Sequence, residues 1–235
     1  MDAAQTEVTA LAGQPAGKAE HAQAGRRGDT RGRIQHVALE LFAEHGYERT
    51  SLREIAERLG VTKAALYYHF KSKEDIVRSF TEDYFGRLDA LIAWGRDQPP
   101  TARTGHELLD RYIAIVMEGN EVFRFLERNQ ASLRNSDGSG GSDSGKHRFE
   151  QFRPRLGALA EIIAGPGAPP RSRIRAAAAL FAASGACIFF MTDAPEPGAA
   201  RTTAAGPPPL PDRDELRKIV LELADDLTQD IGAAG

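Results

Sequence analysis

The chain has 235 residues, 41% of them hydrophobic, a single cysteine and a formal net charge of −3. Such a length suits one large domain or two small ones, with enough apolar residues for a core. One cysteine excludes an internal disulfide framework and fits a reducing cytoplasm. Asp2 and Glu7 interrupt the N-terminus, and no uninterrupted apolar run approaches the roughly 20 residues of a membrane span, so neither a secretory signal nor a membrane partner is expected.

Residues 1–28 are rich in Ala, Gly and Gln without sustained periodicity, which predicts a disordered tail. Its basic end, Arg26, Arg27, Arg31 and Arg33, reads first as solubilising; the alternative is an arm lying along phosphate or in a minor groove. A helix is expected from about Thr30 to His45, with Ile34, Val37, Ala38, Leu41 and Phe42 as its apolar stripe and Gly46 closing it. Tyr47 should pack back onto that stripe.

The stretch Thr50–Lys73, TSLREIAERLGVTKAALYYHFKSK, organises the rest. Leu52, Ile55, Ala56 and Leu59 recur at helical spacing. Ser51 with Glu54 makes a capping box, and Gly60 supplies a left-handed stop. Thr62 caps a second short helix that buries Leu66 and Phe70. Two short helices across a Gly-containing turn match a helix-turn-helix, whose second helix enters the major groove of DNA. Charge agrees weakly: residues 26–75 hold ten Lys/Arg against eight Asp/Glu, on an acidic remainder.

The run Arg33–Lys73 also resembles the DNA-binding domain of TetR-type (TetR/AcrR) transcriptional regulators. The blocks Ala38–Phe42, Gly46-Tyr47, Thr50-Ser51, Ile55-Ala56, Leu59-Gly60-Val61 and Leu66–Phe70 carry the likeness. The resemblance implies an all-α protein: a helix-turn-helix head over residues 29–75, and a helical regulatory and dimerisation body over residues 76–235. It implies double-stranded DNA, a second copy of the chain and an unknown small-molecule effector as partners.

Beyond the head, Ser72 should cap a long fourth helix reaching about Gly95, a mechanical connector stopped by Pro99-Pro100. Two helices, Leu108–Glu118 and Glu121–Leu133, are expected around Gly119-Asn120. A flexible Gly/Ser/Asp loop over 135–145 should follow, then a helix over His147–Ile163 kinked or divided at Pro154. After the break GPGAPP come an Ala-rich helix, Arg171–Thr192, a long Pro/Gly/Ala loop to Pro211, and a last helix, Asp214–Ile231, capped by Asp212.

Base-edge and phosphate contacts sort the DNA candidates. Lys63 can reach guanine, and Ala64 and Ala65 allow close approach or meet a thymine methyl. The resemblance adds Tyr67, Tyr68 and His69, and a phosphate role for Lys73; the alternative for either tyrosine is core packing. Thr50, Ser51 and Arg53 are further phosphate candidates, and Thr62 stands with them at the helix start. Trp94, Tyr112, Met117, Phe123, Phe125, Phe149, Phe152, Cys187 and Phe190 suit an apolar ligand cavity, although aromatic stripes also make ordinary core. For dimerisation the resemblance points to Leu180, Phe181, Leu216, Ile219, Val220 and Leu223. No phosphate loop, zinc spacing, nucleophile elbow or paired carboxylates appear, so no catalysis, metal or cofactor is expected. The expected function is a homodimeric repressor released from a palindromic operator by a small apolar effector. The alternative is a ligand-independent regulator or activator with the same head and no effector cavity.

Overall fold

The computed structural model describes residues 16–129, 133, 144–192, 211–229 and 231; the side chains of residues 16–29, 127, 144–149 and 192 are outside that description. Among the described residues all regular structure is helical. The order is α1 (Ala16–His45), α2 (Leu52–Leu59), α3 (Lys63–His69), α4 (Lys73–Arg96), α5 (Ala102–Arg128), α6 (Ser144–Ala164), α7 (Pro170–Thr192) and α8 (Arg213–Thr228).

Helix α1 begins well before Thr30. Ala, Lys, Glu and Gln in residues 16–24 are good helix formers, and a helix nucleated over its packed half propagates cheaply into them. The expected disorder therefore fails for residues 16–28, and the rest of that tail lies outside the described residues, as do most of the loop 135–145 and the segment 193–210.

Two apolar cores result. The head core joins Ile34, Ala38, Leu41 and Phe42 of α1 to Tyr47, Ile55, Leu66, Phe70 and Ile76. Phe80 extends it along α4, past the expected boundary at residue 75. The body core begins at Tyr84 and gathers α4, α5, α6, α7 and α8 around residues such as Leu88, Leu109, Ile113, Leu159 and Leu180. Helix α4 thus spans both cores.

So does α5. The expected break at Gly119-Asn120 is absent, because packing on both sides overrides the poor helix propensity of that pair. A Cβ at Gly119 would lie 2.7 Å from a Tyr84 ring carbon, so the bare backbone lets that ring rest against α5. Beyond it, Phe125 enters the head core. Its ring stacks on Phe42 at 5.1 Å and meets Phe80 edge-on at 6.3 Å. Helix α6 likewise runs through Pro154. The break after it matches expectation, with Gly165 and Gly167 both in the left-handed region.

Helix α7 carries enough apolar residues over Pro170–Met191 to cross a membrane by length and composition. Its Ala run raises the mean hydropathy, although Ser184 and Gly185 interrupt the apolar residues. One face of this helix lies in the body core, as the apolar helices of globular proteins also do.

Candidate nucleic-acid interface

The helix-turn-helix is built by its caps. Ser51 Oγ accepts from Glu54 N at 3.2 Å, and the Glu54 carboxylate accepts in return from Ser51 N at 3.5 Å. Gly60 stops α2 at φ 72°, and Thr62 Oγ1 accepts from Ala65 N at 3.2 Å to start α3. Leu66 and Phe70 anchor α3 inward. That leaves Lys63, Ala64, Ala65 and Tyr68 exposed along one surface, with Tyr67 and His69 half-buried. Tyr68 is 64% exposed and meets the His69 ring edge-on at 5.3 Å; Lys63 Nζ lies 5.4 Å from the Tyr67 ring centre. Small residues flanked by a cation and two phenols give a surface able to enter a groove and donate hydrogen bonds there.

Two of the expected phosphate residues are placed differently. Thr50 is 1% exposed, and its hydroxyl lies 2.9 Å from Gly46 O and 3.2 Å from Leu41 O. It closes the end of α1 from inside and offers nothing to a phosphate. Lys73 Nζ donates to Tyr47 O at 2.7 Å and Glu48 O at 3.3 Å, and sits 4.5 Å from the Tyr47 ring centre. An ammonium has three donors, so Lys73 holds the α1–α2 turn and keeps one donor for a phosphate. Ser51 and Arg53 are exposed, with Arg53 Nε on Glu57 at 2.7 Å.

The head also contains a latch that the sequence pattern does not reveal. His45 Nδ1 lies 2.6 Å from Glu54 Oε1, and Arg58 donates to Glu44 at 2.9 Å, tying the end of α1 to α2. The Arg58 hydrogen bond holds the Glu44 carboxyl below its ordinary range. At the start of α4, Tyr47 OH donates to Glu74 at 2.8 Å. Burial opposes ionisation of Glu74, but the helix-start amide, Tyr47, Ser72 and Lys73 outweigh it and keep the carboxyl below its usual range.

Residues 34–80 match the family described as bacterial regulatory proteins, tetR family. Over those residues the head is similar to the DNA-binding domain of that family. Among curated relatives, the HTH-type transcriptional repressor KstR2 of Rhodococcus jostii is 32% identical over 129 residues, 48% of this chain and 61% of that one. The HTH-type regulator AcrR of Shigella flexneri is 44% identical over 64 residues, 26% and 30% of the two chains. The match thus spans less than two thirds of either relative. Solved structures share the fold: a regulator from Aquifex aeolicus has TM-score 0.54 at 20% identity, covering 84% of this chain and 96% of its own. PfmR of Thermus thermophilus has TM-score 0.53 at 21% identity, covering 84% and 97%.

The body redistributes the remaining candidates. Phe123 and Phe152 face each other across an aromatic box with Tyr84 and Phe85, around a small apolar cavity of about 20 Å³. Phe125 is not there; it belongs to the head core. Trp94 stacks under the Arg111 guanidinium at 4.0 Å, toward the surface. Phe190 is exposed near the end of α7, and the Phe149 side chain lies outside the description. Met117, Tyr112 and Cys187 are buried in the body core, with Tyr112 OH 2.5 Å from Ser184 Oγ. Burial pushes the Cys187 thiol up to about 11, so it stays protonated and behaves as a small apolar residue.

The dimer candidates divide by helix face. Leu180, Leu216 and Val220 are buried within the protomer and serve its own core. Phe181, Ile219 and Leu223 are about half exposed and point outward, alongside Ile174, Ile188 and Phe189 on α7.

Proposed function

We propose that this chain is a sequence-specific DNA-binding transcriptional regulator, a homodimeric repressor that leaves a near-palindromic operator when a small apolar effector binds. The observation that carries it is the capped, outward-facing α3 on a closed head core. One short reading helix discriminates weakly, and pairing two of them on consecutive major grooves solves that problem. The exposed apolar residues Ile174, Phe181 and Ile188, at seven-residue spacing on α7, with Ile219 and Leu223 one turn apart on α8, support a second copy as their cover. Within the interface, Lys63, Ala64, Ala65, Tyr67, Tyr68 and His69 read bases or backbone, while Ser51, Arg53, Thr62 and Lys73 position phosphate. Relatives named as repressors support the sign of the output.

Release follows if effector binding favours a body conformation that moves α4 and separates the two heads. The box around Phe123 and Phe152 is the specific observation for the second reading, a regulator without effector. Its cavity of about 20 Å³ holds roughly one water, so a larger guest must part its rings.

Selection of bound DNA from a random pool, followed by mass measurement of the complex, tests the proposal. The expected result is inverted half-sites about one helical turn apart, bound by two copies. Recovery of random sequence, or a monomer on a single site, overturns it.

A further inference from the structure

At the junction of the two cores, α5 presents two buried polar atoms with no hydrogen-bond partner among the described residues. Asn120 is 3% exposed and its Oδ1 has no hydrogen-bond partner; Arg124 Nε, one turn later, is buried without one. They sit at i and i+4, side by side on one helix face. Two other body arginines are matched: Arg155 makes a two-pronged bond to Asp89 at 2.8 and 2.7 Å, and Arg87 reaches Glu118 at 2.5 Å. A buried guanidinium nitrogen with no acceptor is expensive, and native structures keep such groups when something else completes them.

We propose that Asn120 and Arg124 form the seat for a ligand carrying a carboxylate on an apolar body. One carboxylate oxygen accepts Arg124 Nε–H. The other accepts from the Asn120 amide, whose oxygen and nitrogen exchange by a half-turn of the side chain. The negative charge answers the Arg124 guanidinium, which a neutral ligand would leave unbalanced. The apolar body would enter the aromatic box by parting its rings. About 100° round the same helix, Gly119 and Phe123 meet the aromatic box, with Phe123 4.9 Å from the Tyr84 ring and 6.1 Å from that of Phe152. The site also lies where a guest is felt. Met117, before it, belongs to the body core, and Phe125, after it, stacks in the head core. This inference rests on the effector-responsive reading above and names the chemistry of the effector.

The test uses the full chain without DNA. Isothermal titration compares 2-naphthoate and octanoate with their primary amides. At least one acid should bind more than tenfold tighter than its amide. Arg124→Gln should abolish that preference, while Arg128→Gln, on the exposed next turn, should keep it. Asn120→Asp places a carboxylate beside Arg124 from within; it should raise the melting temperature and block the acids, which guards against misfolding of the Arg124 variant. Acids and amides binding alike, or not at all, overturns the seat and points to an internal water. Acid binding that both variants leave intact also overturns it. An acid that binds as expected yet leaves operator affinity unchanged supports the seat and overturns effector release instead.

Discussion

In the head, four helix boundaries coincide with a side-chain cap or a left-handed glycine: Ser51, Gly60, Thr62 and Ser72. In the body, α5 and α6 run straight through Gly119-Asn120 and Pro154, the residues that should have stopped them. Short helices have little packing to lose, so local hydrogen bonds decide where they end. Long helices buried on several sides gain enough from packing to absorb a poor residue or a missing bond. Local chemistry governs the head and tertiary contact governs the body.

The largest expected effect breaks that contrast at its weakest point, where a body helix enters the head. Phe125→Ala removes a ring stacked on Phe42 and should cost about 3–5 kcal/mol by denaturant titration. A loss below about 1 kcal/mol would mean the head core closes without α5. Within α7 the same contrast is sharpened by two faces. Phe181→Glu combined with Ile219→Glu should turn a dimer into a monomer in sedimentation at micromolar concentration while leaving the helical signal intact. Leu180→Glu, on the inward face, should instead unfold the body.

Smaller effects belong to the reading surface. Lys63→Ala should relax preference at one base position by about 1–3 kcal/mol in competition binding. Lys73→Ala should weaken specific and random DNA alike, flatten the salt dependence and lower head stability, because its ammonium also holds the Tyr47 and Glu48 carbonyls. Unchanged stability would show those bonds to be idle. The smallest effect is electrostatic. The folded state lowers the Glu74 pKa, so its contribution is present above the ordinary glutamate range and is lost as pH falls through the carboxylate range. Glu74→Gln should flatten that acid slope by under about 1 kcal/mol, read from melting temperatures between pH 7 and pH 3.

The candidate site was legible to the extent that its residues act locally. The caps of α2 and α3 and the inward Leu66 and Phe70 follow from spacing alone. Thr50 did not, because a threonine beside a helix start serves equally as a surface donor or an inward plug, and only the neighbouring carbonyls of Leu41 and Gly46 choose. The latch His45–Glu54 joins residues nine apart on different helices, and no periodicity marks such a pair.

By itself the sequence determined an all-helical chain, a capped helix-turn-helix, its family likeness and the inward faces of the head helices. Those depend on contacts within about four residues, which pattern and propensity encode. Tertiary structure alone decided that α5 is continuous, that Phe125 belongs to the head, that Leu180 and Phe181 part company, and that Asn120 and Arg124 are left unsatisfied. Each depends on which distant surface meets a helix face, and a one-dimensional pattern states that a face is apolar without saying what covers it.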